Sequence, residues 1–278
     1  MKSRICLYSN PFPYVNSYYK MIDTAVEFGL NAVEAFSGDE FAIPDEEVAK
    51  KLRAYADERN VIFPCFSSYA NLVGEDARAV IERMKGFARI AAILGSPYLH
   101  HTIAPNFSSA TEGLQDPEGR FQRGVEAVRE IYDYAQTLGV KAIYEDQGFV
   151  FNGVAGFDRF LREVDRDVGV VIDFGNIYQG DDSIDDFVTA FVDRAVHAHL
   201  KDAIYDVPES TPGAIPTRGG KNIFLGRIGE GKVDFAKNIR AMENAGYTGY
   251  YGLEFNAGPG GKQAWSDYIA QVNKWIEG

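Results

Sequence analysis

The sequence predicts an α/β fold, a single-domain (β/α)8 TIM barrel that covers residues 1–278. Short apolar runs alternate with longer amphipathic segments eight times along the chain, which is the order of elements in a closed barrel of parallel strands. The length fits as well, because about 250 residues commonly form one such barrel. No low-complexity segment or short internal repeat divides the chain into further domains.

The predicted strands are short runs rich in apolar residues. They cover residues 4–9, 32–36, 62–67, 98–102, 141–146, 168–174, 195–201 and 249–255. Because the intervening segments are long enough for a helix, we expect consecutive strands to lie parallel and next to each other.

Helices follow from apolar residues at helical spacing and from residues that start or stop helices. One begins at Asp45 and ends near residue 60, and a second covers 75–94 and stops at Gly95. A third begins at 116–117 and runs to 138–139. The last carries Trp265 and Trp275, which we place in the core or at a subunit interface.

One connection is much longer than the others. Residues 203–231 follow the seventh predicted strand and contain Pro208, Pro212, Pro216 and several glycines. A long loop at this end of a barrel strand is typical of a lid or of a contact between subunits. We therefore predict a segment that is more mobile than the barrel when no ligand is bound, and we expect a homo-oligomer.

Charge and composition argue against several classes of protein. The chain has 28 Lys and Arg against 40 Asp and Glu, a net charge of −12, and we find no long basic cluster, so nucleic acid is not an expected partner. No apolar run reaches the roughly 18 residues of a membrane helix, and the N-terminal run is too short for a signal peptide. Cys6 and Cys65 lie in predicted strands. We interpret them as buried reduced thiols of a cytoplasmic protein.

Four side chains that can bind a cation end four successive predicted strands. They are Glu145, Asp173, His199 and Glu254. The carboxyl ends of barrel strands share one rim, where active sites of such folds lie, and carboxylates crowded there without a cation would repel each other. Three oxygen donors and one nitrogen suit a divalent metal ion. We predict Mn²⁺ as the first choice, with Mg²⁺, Co²⁺ and Zn²⁺ as alternatives.

Neighbouring residues supply candidate contacts to a substrate. His197, His199 and Lys201 alternate along one strand, so all three are expected to face the barrel interior. His197 would either orient His199 or fill the core, and Lys201 would contact a substrate oxygen or a carboxylate, or form an internal ion pair.

Two further candidates lie on other segments. Of His100 and His101, which end the fourth strand, only one can face inward. We include His101 among the substrate-binding candidates, together with Phe12, which lies in the first loop and would form an aromatic wall against a sugar or pack within its loop.

Several strings of the C-terminal half resemble a known family. IYEDQG, VVIDFGNIY, VHAHLKD, RIGEGKVDF and YYGLEF, in this order, are similar to the xylose isomerase-like TIM barrel superfamily, whose members include sugar phosphate isomerases and epimerases, inosose dehydratase and endonuclease IV. The resemblance spans essentially the whole chain. It implies that Glu145, Asp173, His199 and Glu254 bind the metal, and that Glu145 and Glu254 also transfer the proton.

The chain departs from the ketose 3-epimerase subgroup of that family. The subgroup carries a Glu, a His and an Arg, spaced from the metal ligands, that contact substrate oxygens; Phe151, Asn176 and Tyr205 stand at those spacings here. Asn176 is kept as a substrate-binding candidate, and Arg218 or Arg227 could replace the arginine. Endonuclease IV needs additional histidines for its metal cluster, and only four occur in this chain.

The predicted function is therefore a metal-dependent isomerase or epimerase that acts on a sugar or a sugar-like polyol. A cation would polarise the carbonyl and stabilise the enediolate left after a proton is removed from the adjacent carbon. One alternative is a lyase of the inosose or dehydroshikimate dehydratase type on the same scaffold. The other is a non-catalytic sugar-binding or partner subunit.

Overall fold

Eight parallel strands close into a barrel in the computed structural model of the chain, which describes residues 3–8, 17–104, 116–148, 150–254 and 261–278. In order around the barrel they are β1 (Ile5–Tyr8), β2 (Val33–Phe36), β3 (Phe66–Ser68), β4 (Tyr98–His101), β5 (Lys141–Tyr144), β6 (Gly169–Asp173), β7 (Ala195–Leu200) and β11 (Tyr250–Leu253). The ring closes because β1 pairs with both β2 and β11. The predicted fold and all eight predicted strands are confirmed.

Helices follow the barrel strands. They are α1 (Tyr18–Glu27), α2 (Glu46–Glu58), α3 (Ala77–Leu94), α4 (Pro117–Gln136), α5 (Val154–Val164), α6 (Ile184–Phe191), α7 (Phe235–Asn244) and α8 (Gly261–Glu277). Their ends match the sequence signals. The Asp45 carboxylate accepts hydrogen bonds from two backbone N–H groups in the first turn of α2, and Gly95 ends α3 with a φ of 71°, a conformation that glycine adopts without strain.

The third strand is shorter than predicted. It begins at Phe66, and the segment before it is held to β2 by a single bridge between Ala32 and Ile62. Pro64 lies between these points, and a proline has no N–H to donate to a strand ladder. The regular ladder between β2 and β3 therefore starts only after the proline.

The barrel interior is built in two layers. An apolar layer of Cys65, Ile143 and Val171 forms a small cluster apart from the large core between strands and helices. Successive residues of a strand alternate between its two faces, so the residues two positions further on, Ser67, Glu145 and Asp173, also face inward. The polar layer therefore lies directly on the apolar layer, toward the carboxyl ends of the strands.

The long connection 203–231 has secondary structure of its own. It forms a three-stranded antiparallel sheet of β8 (Asp202–Tyr205), β9 (Ile215–Pro216) and β10 (Asn222–Gly226), with β10 in the middle. The buried Asp202 carboxylate accepts hydrogen bonds from the backbone N–H groups of Ala203, Gly229, Gly231 and Val233. These bonds clamp the two ends of the connection together, while its greater mobility stays a prediction.

The two tryptophans of α8 pack against apolar neighbours, and the two cysteines are buried. Trp265 is buried in the core, and Trp275 stacks on Phe235 with ring centroids 5.6 Å apart. Cys6 and Cys65 are buried free thiols, as predicted. Within the described part of the chain, every helix is too short or too polar to cross a membrane.

Candidate active site

The four predicted cation ligands come from consecutive strands and meet around one nitrogen atom. Strands β5, β6, β7 and β11 are neighbours in the barrel, and Asp173 on β6 is the direct register partner of His199 on β7. His199 Nδ1 lies 3.3 Å from Glu145 Oε2, 3.3 Å from Glu254 Oε2 and 3.7 Å from Asp173 Oδ2. The convergence inferred from the strand ends is therefore present in the structure.

The donor atoms are arranged so that a cation could be bound. Glu145, Asp173 and His199 are buried and each offers one donor atom within 4.8 Å of the others. Asp173 Oδ1 accepts hydrogen bonds of 2.8 Å from the backbone N–H groups of Gly175 and Asn176. Asp173 Oδ2 is buried and makes no hydrogen bond of proper geometry to the residues that the structure describes. A carboxylate oriented in this way fits a metal ligand.

Lys201 lies beside the same carboxylates. Its Nζ is 2.9 Å from Asp173 Oδ2 and 3.0 Å from Glu254 Oε2. Burial alone would lower the pKa of Lys201, but the carboxylates raise it above its usual range. Burial would likewise raise the pKa of Asp173, yet Lys201 and His199 hold it below its usual range. The two groups therefore form a buried ion pair, one of the roles expected for Lys201.

The remaining ligands bind protons readily when no cation is present. Burial raises the pKa of Glu254 to about 7, and burial together with the nearby charge of Asp173 raises the pKa of Glu145. Burial would lower the pKa of His199, but Glu34 and the surrounding carboxylates raise it well above its usual range. The cluster therefore attracts positive charge, which it can take as protons or as a metal ion.

Glu34 on β2 is a site residue that the sequence reasoning missed. It is fully buried, and its Oε1 lies 3.0 Å from His199 Nε2 while its Oε2 lies 2.7 Å from His197 Nε2. Ser67 Oγ also donates a hydrogen bond to Oε1. The available signal was a lone charged residue inside the apolar run 32–36, since a buried carboxylate normally has a partner.

The structure turns His100, not His101, toward the cluster. His100 Nδ1 lies 3.1 Å from Ser67 Oγ, and its Nε2 lies 3.7 Å from Glu145 Oε1. His101 points to the outer face of β4, where Nδ1 lies 2.9 Å from the carbonyl oxygen of Thr102 and Nε2 lies 3.0 Å from the hydroxyl of Tyr144. The expected inward position of His101 is corrected to His100, because residue 99 and residue 101 share the face that packs on the helices.

The other residues singled out from the sequence, Asn176, Phe151 and Tyr205, have different neighbours in the structure. Asn176 is fully buried beside Asp173, and its Nδ2 has no hydrogen-bond partner among the described residues. Phe151 belongs to the core, where it stacks on Phe121 at 5.2 Å. Tyr205 donates a 2.6 Å hydrogen bond to Asp181. Phe12 lies outside the described residues.

The two arginines that could take the place of the epimerase subgroup's arginine, Arg218 and Arg227, each contact another residue. Arg218 donates a hydrogen bond of 3.0 Å to the carbonyl oxygen of Asn152, and Arg227 lies 3.5 Å from the carboxylate of Glu230. Of Phe151, Asn176 and Tyr205, Asn176 is the one whose backbone N–H donates a hydrogen bond to a predicted ligand, Asp173, within the described part of the chain.

A (β/α)8 barrel with carboxylates and an imidazole clustered at the carboxyl ends of its strands is an architecture of enzymes. The model of the family described as xylose isomerase-like TIM barrel matches residues 22–277, and the chain belongs to this family.

Comparison with curated proteins finds similarity to two proteins named inosose dehydratase. The one from Geobacillus thermodenitrificans is 25% identical over 146 residues, which is 49% of this chain and 47% of the relative. The one from Serratia proteamaculans is 22% identical over 169 residues, 56% of this chain and 54% of the relative. The matches thus span about half the length of these relatives.

Solved structures share the fold over the whole length of the chain. A xylose isomerase domain protein from Planctomyces limnophilus has a TM-score of 0.80 at 14% identity, over 100% of this chain and 98% of that one. A xylose isomerase-like TIM barrel protein from Mycobacterium smegmatis in complex with magnesium has a TM-score of 0.73 at 17% identity, over 99% and 100%. The 3-keto-D-glucoside 4-epimerase from E. coli has a TM-score of 0.75 at 16% identity, over 98% and 100%.

Proposed function

We propose that the protein is a divalent-metal-dependent enzyme that isomerises or epimerises a sugar or a sugar-like polyol. The observation that carries the proposal is the convergence of Glu145, Asp173 and Glu254 on the Nδ1 atom of His199. The resemblance of the chain to a 3-keto-D-glucoside 4-epimerase and to a magnesium complex of the same fold supports it. Mn²⁺ is the first choice of metal, since three oxygen donors and one nitrogen suit it.

The chain supplies ligands and proton-transfer groups for this chemistry. A bound divalent cation would stabilise negative charge that develops on substrate oxygens. Glu145 and Glu254 lie three strands apart in the barrel, so their carboxylates approach the site from different sides. One carboxylate would take the proton from the carbon next to the carbonyl, and the other would return a proton to the opposite face. A 1,2-shift on one face would need only one of them.

His100 and Asn176 are the proposed contacts to substrate oxygens. His100 takes the role first given to His101, because its Nε2 is directed at Glu145 and has no hydrogen-bond partner among the described residues. Asn176 Nδ2 can donate a hydrogen bond, and it likewise has no hydrogen-bond partner among the described residues. Phe12 stays a candidate from the sequence alone.

A dehydratase is the second candidate function. The similarity to two inosose dehydratases favours it, as does the absence of the epimerase subgroup's Glu and His at residues 151 and 176. The first step would be the same removal of a proton next to a carbonyl. The C–O bond at the β-carbon would then break, and the hydroxyl would leave with a proton as water.

The experiment is a substrate screen with the metal-loaded protein in D₂O. Free and phosphorylated ketoses, keto-glucosides and inososes are incubated with the protein and the products are analysed by mass spectrometry. Deuterium incorporation without loss of water supports the isomerase or epimerase, and loss of one water supports the dehydratase. Metal-loaded Glu145→Gln and Glu254→Gln should lower the exchange about 10²-fold or more in at least one case. Turnover that persists in the metal-stripped protein would contradict the proposal.

The expected cellular setting belongs to the same proposal. Two buried free thiols fit a reducing compartment such as the cytoplasm. The homo-oligomer expected from the sequence can be measured by light scattering, and a monomer at working concentration would contradict it.

A further inference from the structure

We propose that Glu34 is a positioning residue that holds His199 in the tautomer whose Nδ1 lone pair faces the cation site. The inference rests on the proposed function, because it assigns the role of His199 as a metal ligand. Glu34 is not a member of the donor group of Glu145, Asp173 and His199, although it forms a second group with His100 and His199. It contacts the opposite edge of the imidazole ring, where its Oε1 lies 3.0 Å from Nε2.

The hydrogen-bond directions follow from the chemistry of a carboxylate. An ionised carboxylate can only accept hydrogen bonds, and Glu34 lies against three groups that can donate one, the Nε2 atoms of His199 and His197 and the hydroxyl of Ser67. His199 must therefore donate from Nε2–H. When His199 is neutral, as binding of a metal requires, it carries one N–H, and its Nδ1 then presents a lone pair toward Glu145, Asp173 and Glu254.

The Glu34 carboxylate also fixes the hydrogen-bond directions of His197 and, through Ser67, of His100. His197 Nε2 lies 2.7 Å from Glu34 Oε2 and must donate as well. Ser67 gives its hydroxyl proton to Glu34, so its oxygen accepts from His100 Nδ1–H. The neutral His100 ring then directs the lone pair of Nε2 at the site, 3.7 Å from Glu145 Oε1.

Neighbouring strands pack closely against the contact between Glu34 and His199. A Cβ atom at Gly252 would lie 2.9 Å from Glu34 Oε2 and 3.1 Å from His199 Cδ2, so a side chain there would push into the contact. On the neighbouring strand β1, the ring of Tyr8 stacks on His199 with centroids 5.0 Å apart and planes at 11°. Glu34 and His199 are thus packed as a fixed pair, in the carboxylate–histidine arrangement that commonly orients metal-binding imidazoles.

The test separates a positioning role from a purely structural one. Mn²⁺ affinity is measured by calorimetry for the wild type and for Glu34→Gln, and ring ¹⁵N NMR with Mg²⁺ reports the tautomer of His199. We expect a 10- to 100-fold loss of affinity, the usual effect of removing such a partner, and a shift of His199 toward the Nδ1–H tautomer. Glu243→Gln is the control, because it also removes a carboxylate that contacts barrel residues, Arg4 and Tyr251, but no imidazole.

A second variant keeps the charge and shortens the side chain. Glu34→Asp should fold if Glu34→Gln does not, and it should bind Mn²⁺ more weakly than the wild type because an aspartate cannot reach both imidazoles. Wild-type affinity together with an unchanged Nε2–H tautomer in either folded variant would overturn the role of Glu34. A wild-type protein that binds no divalent cation would instead overturn the proposed function on which the inference rests.

Discussion

Replacing Lys201 by methionine should destabilise the metal-free protein strongly. The ammonium group is buried and lies within 3.0 Å of two carboxylates, Asp173 and Glu254. Methionine keeps much of the side-chain volume but leaves these carboxylates without their cationic partner. Removing one partner of a buried ion pair typically costs about 3–5 kcal/mol. Because a chain of this size loses roughly 2 °C of Tm per kcal/mol, we expect a Tm about 6–10 °C lower in a chelator.

The same substitution should make the protein depend more on the metal. A divalent cation supplies positive charge to the same carboxylates, and without Lys201 it no longer faces a neighbouring ammonium. A cation at 100 times its Kd stabilises the native state by about 2.7 kcal/mol in the ordinary case, and the variant should gain more than the wild type. Melting curves in a chelator measure the loss of Tm, and melting curves with Mn²⁺ measure the stabilisation by the metal.

Lys221→Met is the matched control. Lys221 forms an ion pair of similar length with Asp206, 2.8 Å, but the two side chains are 48% and 64% exposed. Exposed pairs contribute little, so this variant should melt within about 1 °C of the wild type. Two results would contradict this reasoning. One is a Tm of Lys201→Met in chelator equal to that of Lys221→Met, and the other is a difference in Tm between Lys201→Met and the wild type that Mn²⁺ does not reduce.

Three further outcomes are expected. The wild type should contain one divalent ion per chain, and the Asp173→Ala/His199→Ala double variant should contain none by elemental analysis. Metal affinity should rise between pH 6 and pH 8, because the pKa of Glu254 is raised to about 7 and a protonated carboxyl does not bind a cation; calorimetry showing equal affinity at both values would contradict this. Limited proteolysis should cut within residues 203–231 before the barrel, and more so in Asp202→Asn, whose backbone hydrogen bonds are weakened; cleavage only elsewhere would argue against a lid.

The fold and the four candidate ligands could be predicted from the sequence because both depend on local patterns. Short apolar runs that alternate with helical periods predict parallel strands, and residues at the carboxyl ends of such strands share one rim. This is enough to bring Glu145, Asp173, His199 and Glu254 together without any knowledge of side-chain packing. The ends of the helices followed from Asp45 and Gly95 for similarly local reasons.

The sheet in residues 203–231 could not be predicted in the same way. β8 and β10 pair across the connection, with Ala203 opposite Leu225 and Tyr205 opposite Ile223. Prolines and glycines between them suggest a loop, and the pairing depends on contacts between residues far apart in the sequence. The clamp at Asp202 likewise joins the end of β7 to residues 229–233.

The direction of His100 depends on which face of β4 packs on the helices, and the sequence alone does not decide this. Alternate residues of a strand share a face, and Leu99 is an apolar residue that packs in the core between strands and helices. Tyr98 and His100 must then face the interior, where Tyr98 packs against the inner apolar cluster. The role of Glu34, by contrast, becomes visible only when β2 is placed in the barrel, since its partners lie on β3 and β7.

The charges in the cluster explain why binding of the cation should be linked to protons. In the metal-free protein, the carboxylates of Glu34 and Asp173 face the positive charges of His199 and Lys201, while the pKa values of Glu145 and Glu254 are raised. A divalent cation requires His199 neutral and Glu254 ionised. It therefore takes the place of the extra proton on His199 and of any proton on Glu254, so that binding of the cation releases protons. Protons and the cation thus compete for the same buried groups.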